Sequence, residues 1–550
     1  MRARLVAVAL LASSPVLADT GPAPAAPTAD ALLSQAEQAL ARDELPAAAR
    51  AFRQAAEASP DEGVAEQACR FAYENHQLDE TLLAARRWLE INPSSEAARR
   101  YAGVAALGLH RLDEATAQFA DLIGSAYVSP AAGYVALLPV VMGEGTAPDV
   151  TEVFRRLVAK DAKVAEGHDA LGNAALRSEN YALAESSARE AVRLAPYWVP
   201  ARLLLARTLI ARGHDEEGLA MARDLAVAPE ADVATHMEYA LVLAALGRDQ
   251  EARAILTPYA TGDSVLPAAV RTLGLLDLDA GDLTAAAARF ESLLSMGAQS
   301  YDAIFYLGVI ADRRNDDATA LRYYSKVTSG DQAMAAQQRL AVLVSKKDGL
   351  DAGLARLAEF GRAHPDLGPQ VAIARAALAT SLGNEPRALE VLDAGVAQYP
   401  DVLDLHLSRV FTYERMGRGA DSVRELRQLL ADRPGDPVVQ NALGYTLADQ
   451  DRDLPEARAL IEASLAQTPD SAAVEDSMGW VLYRQKDYPK ALEYLERAYA
   501  RDPDPEIALH LGEVQWSIGD HTAARKTWSD ALARSPGSKA LEERLGRAGQ

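Results

Sequence analysis

Cysteine is nearly missing from this 550-residue chain. Cys69 is the only one, so no disulfide can close within it. No cysteine follows the apolar stretch at the N-terminus either, which leaves no attachment point for a diacylglycerol and predicts no lipid anchor. Aromatic residues make up only 6% of the chain, too few for a set of ordinary mixed domains and in keeping with helices packed through small side chains. Positive charge is short: 56 Lys+Arg stand against 78 Asp+Glu, a formal net charge of −22. Such a surface repels phosphate backbones, and no Lys/Arg stripe reverses it locally, which argues against nucleic acid as a partner. No apolar run approaches the roughly 20 residues that span a bilayer. The nine histidines show no metal-ligand spacing. There is no phosphate-cradling glycine loop, nucleophile elbow or dinucleotide fingerprint. The sequence assigns no catalytic residue, no cofactor and no metal.

What is present begins with a targeting segment. Arg2 and Arg4 form a basic start, Leu5 to Ala12 a short apolar run, and Val16-Leu17-Ala18 a small-x-small cleavage pattern. Residues 1–18 are therefore expected to be a signal peptide cut before Asp19, with the mature product soluble in the periplasm. Residues 19–28 (DTGPAPAAPT) are Pro/Ala-rich and read as a disordered tether.

The remainder is periodic. Prolines fall at 365, 400, 434, 469, 503 and 536, a spacing of 33 to 35 residues; Pro196, Pro93 and Pro60 continue the series backwards. Within each period a small residue follows a large one, as in Leu171-Gly172, Leu273-Gly274, Leu307-Gly308, Leu443-Gly444, Met478-Gly479 and Leu511-Gly512. A second small residue comes 12 or 13 positions later, at Ala184, Ala286, Ala320, Ala457, Ala491 and Ala524. Four beyond that is usually a large one: Phe290, Tyr324, Ile461, Leu495, Trp528. The physical reading is a pair of helices crossing where neither can carry bulk, with the large residue filling the gap to the next pair. The phase divides the chain from Ala29 into fifteen slots of about 34 residues, starting near 29, 62, 96, 130, 165, 199, 233, 267, 301, 334, 369, 403, 437, 472 and 505. Only Leu137 and Val410 put a larger residue at the eighth position.

A helix–turn–helix unit of this length with these small residues is the tetratricopeptide repeat (TPR). The predicted fold is all-α: a TPR solenoid, a right-handed superhelix of about fifteen repeats with a concave inner face and no residues left over for a catalytic domain. The expected organisation is N-terminal repeats over 29–129, a degenerate repeat or hinge over 130–164, a main array over 165–537 and a capping helix over 538–550. The 130–164 slot carries Pro139, Gly143, Gly145 and Pro148, which interrupt a helix.

Two chemical readings of single residues are weak beside structural ones. Cys69 occupies the small crossing position of its slot and reads as a buried, inert thiol. Asp277, Asp279 and Asp282 faintly suggest a calcium loop, but Gly281 and Ala288 stand where ligands are needed; the stretch reads as a helix end and its turn. On the first helix of each repeat, positions 2, 5, 9 and 12 face inward. These give Leu203, Met237, Leu241, Leu275 and Phe305 in mid-chain, and Leu407, Phe411, Tyr445, Trp480, Tyr483, Leu509 and Trp516 in the later slots. The later set is the predicted partner-binding groove, with Tyr445, Trp480, Tyr483 and Trp516 as one aromatic strip. The basic clamp by which some TPRs hold a C-terminal carboxylate is not matched: the slot carries Asp169 and Asn173, with the acid where lysine is needed.

The stretch NALGYTLAD, VEDSMGWVLYR and ALEYLERAYARDPDPE, continued by IALHLGEVQW and ARKTWSDAL, resembles exported TPR proteins of proteobacteria. It is similar above all to the adaptor of a periplasmic carboxy-terminal-processing protease. That adaptor is a lipoprotein, and this chain lacks the lipobox cysteine. The resemblance implies a non-catalytic scaffold or adaptor in the cell envelope that binds partner proteins or peptides in its groove, such as a carboxy-terminal-processing protease or a cell-wall enzyme. A scaffold for surface-polysaccharide export, and an enzyme with an unrecognised site, are the alternatives. The leader gives the first test: N-terminal sequencing of the protein from a detergent-free envelope fraction should begin at Asp19. An intact Met1 terminus would contradict it.

Overall fold

The computed structural model describes residues 27–42, 44–261, 265–297 and 300–548. The expected signal peptide and most of the expected tether lie outside the described residues. The described residues form 31 α-helices and one short 3₁₀ turn, with no strand among them. The first helix of each pair starts within one residue of the period read from the sequence, from Ala29–Leu40 and Glu62–Glu74 through Pro437–Asp449, Ala472–Arg484 and Pro505–Ser517. A single helix, Lys539–Ala548, follows the last pair. None of these helices is long and apolar enough to cross a membrane.

The chain divides into two compact units, one ending at Ala298 and one starting at Gln299. In the first, helices pair from Ala29 to Ser295, and one apolar cluster runs from Ala36 to Ala174 through Phe119, Tyr134 and Phe154. In the second, a cluster around Leu426, Leu443, Ile461, Met478, Trp480 and Leu495 binds the repeats from Leu403 to Ser517. Local signals set the helix ends. Side chains of Thr28, Asp61, Ser95, Asp232, Asp436, Ser471 and Asp504 accept from the first backbone N–H groups of their helices, which satisfies donors the helix itself cannot. In most repeats the turn between the two helices puts a residue in the left-handed region. Gly213, Gly247 and Gly417 take it without strain, while Glu179 and Lys486 adopt it with a side chain.

The small residues do what the spacing suggested, with one correction. A Cβ placed at Gly479 would sit 2.5 Å from Leu495 Cγ and 3.2 Å from the Ala491 carbonyl; one at Gly444 would sit 2.6 Å from Ile461. Gly274 and Gly308 meet Phe290 and Tyr324 in the same way. The large residue thus packs onto the glycine of its own repeat rather than chiefly filling the gap to the next one. Where the second helix offers only Ala188, Leu204 of the following repeat closes on Gly172 instead.

The 130–164 slot forms two helices, Pro130–Glu144 and Ala147–Lys160. Pro139 does not interrupt the first of them. Both Pro139 and Val135, whose carbonyl loses its helical partner, are solvent-exposed, so water can satisfy the broken bond. With Leu137 at the eighth position, the close approach moves to Gly133, where a Cβ would lie 3.1 Å from Ile123 Cα. Tyr134 is fully buried and donates to Asp161 Oδ2 at 3.1 Å. Cys69 is fully buried, and burial pushes its thiol well above the usual range. Asp277 is held between Arg253 and Arg289, and Asp282 caps the next helix, which commits two of the three carboxylates of the calcium-like stretch.

The crossing gives a paired test. Gly479→Ala should destabilise the C-terminal unit by about 1–3 kcal/mol through overpacking. Gly435→Ala, where a Cβ meets nothing within 4 Å, should change it by less than about 0.5 kcal/mol. Urea unfolding followed by circular dichroism reads both, and equal effects would refute the packing argument.

Candidate functional site

An apolar opening lies on the first helices of four consecutive repeats of the C-terminal unit. Leu407, Val410 and Phe411 come from Leu403–Arg415; Val438, Asn441, Ala442 and Tyr445 from Pro437–Asp449; Val474, Asp476 and Ser477 from Ala472–Arg484; Glu506 and Ile507 from Pro505–Ser517. The space they line is about 530 Å³, within the size range of ligand-binding clefts. Phe411 is 52% exposed and Val438 51%, and with Leu407 they make one contiguous apolar patch along the opening.

Three of the seven sequence-predicted groove residues meet here: Leu407, Phe411 and Tyr445. The other four do not line the opening, and the continuous aromatic strip does not form. Trp480 is only 8% exposed. Its ring stacks on His510 of the next repeat at 4.2 Å and on Tyr483 at 5.0 Å, so it is packing between repeats. Tyr483 is half-buried, its hydroxyl 3.2 Å from Ser517 Oγ. Leu509 and Trp516 are half-buried against a separate cluster around Trp528 and Leu541, and Trp516 stacks on His521 at 4.0 Å. In mid-chain, Leu203 is likewise buried, while Leu241 is exposed.

Polar groups supply the rest of the site, and the sequence reading passed over them. Behind the opening, Asp476 and His510 form a buried pair. The Nδ1 of His510 lies 2.9 Å from both Asp476 oxygens, with the two residues 6% and 7% exposed. Burial alone disfavours a charged imidazole, but the hydrogen bond and charge of Asp476, helped by Glu506 and Asp449, outweigh it and raise the His510 pKa. Tyr445 donates to Glu506 Oε1 at 3.0 Å; burial, and then the charge of Glu506, hold its phenol far above the usual range. Asn441 Oδ1 is buried with no hydrogen-bond partner. Val438, Asn441, Asp476 and Glu506 all sit at inward positions 2 and 5 of their repeats. The positional signal was therefore present, but none of these four was among the predicted groove residues.

No group of three or more His, Cys, Asp and Glu side chains among the described residues could hold a metal ion. The arrangement offers an apolar wall, a polar floor and a buried acceptor, which suits binding of an extended chain. The different placement of two rings can be tested together. Trp480→Ala should cost about 3–5 kcal/mol of stability, as for truncation of a buried tryptophan. Phe411→Ala should change stability by no more than about 0.5 kcal/mol. Equal losses in urea unfolding would contradict this division of wall from core.

Comparison with known proteins fits the repeat architecture. Residues 271–335, 412–472 and 477–539 match the tetratricopeptide repeat family model. A TPR repeat-containing protein of Pseudomonas aeruginosa is 35% identical over 209 residues, which is 38% of this chain and 35% of that protein. The cellulose synthase 2 operon protein C of Komagataeibacter xylinus is 30% identical over 268 residues, 47% of this chain and 19% of that one. The chain thus spans about a third or less of the length of these curated relatives. Among solved structures, a thermophilic TPR protein of Thermus thermophilus is similar at 22% identity and a TM-score of 0.30, over 33% of this chain and 98% of that one. The matched segments and the helix pairs repeating every 34 residues or so agree: the described residues fold as tetratricopeptide repeats.

Proposed function

We propose that this chain is a non-catalytic scaffold or adaptor of the cell envelope that holds partner proteins by extended segments laid into the groove of its C-terminal unit. One observation carries the reading: an open cleft of about 530 Å³ walled by Leu407, Phe411, Val438 and Tyr445, with large apolar side chains left exposed on a protein of net charge −22. Apolar anchors in such a cleft contribute most of the affinity of a complex, and the polar rim contributes specificity. The envelope assignment is supported by the leader pattern ending at Ala18. The resemblance of residues 441–528 to the adaptor of a carboxy-terminal-processing protease supports a role in presenting substrates to such a protease or in assembling a cell-wall complex.

A second reading has its own support. The likeness to a cellulose synthase operon protein over 47% of this chain favours a scaffold for export of a surface polysaccharide, in which the same groove would hold a subunit of the export machinery.

The test is capture from the native envelope. Crosslinking followed by mass spectrometry should recover one dominant protein partner, and Leu407→Ser with Phe411→Ser should weaken its capture by at least about tenfold, or 1.4 kcal/mol. Unchanged capture by the folded double variant would remove the groove from the function. The partner's identity, protease or export subunit, decides between the two readings.

A further inference from the structure

The charge around the groove is one-sided. Asp476, Asp502, Asp504 and Glu506 line it, and no lysine, arginine or histidine does. Elsewhere several carboxylates of this unit are paired with arginine. Glu425 takes Arg409 at 2.9 Å and His406 at 2.8 Å. Glu475, the neighbour of Asp476, takes Arg497 at 3.0 Å and Arg501 at 3.1 Å. In the groove only Asp476 has a cationic partner, the His510 imidazole behind it. Asp502, Asp504 and Glu506 are solvent-exposed and carry no ion pair among the described residues. Asp504 caps its helix by accepting from the Glu506 N–H at 2.7 Å, and Glu506 accepts from Tyr445, so these carboxylates are held in place beside the apolar wall.

Three exposed carboxylates brought together repel one another, and a cation entering among them relieves that repulsion while gaining charge-assisted hydrogen bonds. On the other side, Leu407, Phe411 and Val438 form a wall with no charged group in it. Resting on the groove reading above, we infer that the occupant is an extended segment of a partner protein carrying an arginine or lysine a few residues from an aliphatic or aromatic side chain. The apolar residue packs on Leu407, Phe411 and Val438, and the cation sits among Asp502, Asp504 and Glu506. An acidic segment is rejected by the same carboxylates, a repulsive component that gives specificity.

Fluorescence anisotropy on the full chain tests this with fluorescein-labelled, end-blocked alanine peptides. Each contains one leucine and one arginine separated by one to four alanines, and companion sets replace arginine by citrulline or glutamate. At least one arginine peptide should bind about tenfold tighter than its citrulline and glutamate companions at low salt, with the preference fading as ionic strength is raised and the Debye length falls. Asp502→Asn with Glu506→Gln should abolish the preference, leaving the helix cap at Asp504 in place. Citrulline or glutamate peptides that bind as well as arginine, or no detectable binding of any set up to about 1 mM, would overturn the inference. If Phe411→Ser still abolishes capture of the native partner in that case, the groove reading stands and only its charge preference falls. If Phe411→Ser affects neither capture nor peptide binding, the groove reading itself fails.

Discussion

Each repeat of this chain depends on two helices approaching at a point where one of them has almost no side chain. At Gly444 and Gly479 the second helix brings Ile461 and Leu495 into the space a Cβ would occupy, and the apolar clusters of the C-terminal unit are built outward from these contacts. Close approach of this kind is worth little for any pair of atoms and much in total, because the interior packs without voids. It also fixes how far each first helix is rotated, and so decides which of its side chains turn toward the open face and which toward the next repeat.

The groove is a product of that rotation. Inward positions 2 and 5 of the repeats beginning at Pro437, Ala472 and Pro505 line the groove with Val438, Asn441, Asp476 and Glu506, while position 9 of the middle repeat, Trp480, is covered by His510 from the repeat that follows. The Asp476–His510 pair fastens the same two repeats where the groove is deepest. A buried pair contributes little net stability compared with an apolar substitute, but losing one member is costly. Its part here is to hold the floor of the site in one arrangement and to neutralise the one groove carboxylate that faces inward.

The repeat boundaries were legible in the sequence because the constraint that sets them is short-range and recurs. A small residue at the eighth position marks thirteen of the fifteen slots, while capping side chains before the first helix and left-handed turn residues recur in many of them. Depth within the groove was not legible. The positional rule gives the direction a side chain leaves its helix but not what the next repeat puts over it, so Trp480 and Trp516 were read with Tyr445 although their rings are stacked within the packing. The Asp476–His510 pair left a trace that could have been followed: its members are 34 residues apart, one period. The helix around Pro139 stays continuous for a local reason. A proline breaks a helix when the lost hydrogen bond is buried, and here it faces water.

The most direct test of the central claim, that the groove of the C-terminal unit is where partners dock, is photo-crosslinking in intact cells. A benzophenone amino acid would be placed in turn at Phe411 and Val438 in the groove, and at Leu382, as exposed as Phe411 at 52% but outside it. The account predicts adducts from positions 411 and 438 to the same protein and none to that protein from position 382. An adduct to that partner from position 382, with none from 411 or 438, would contradict it.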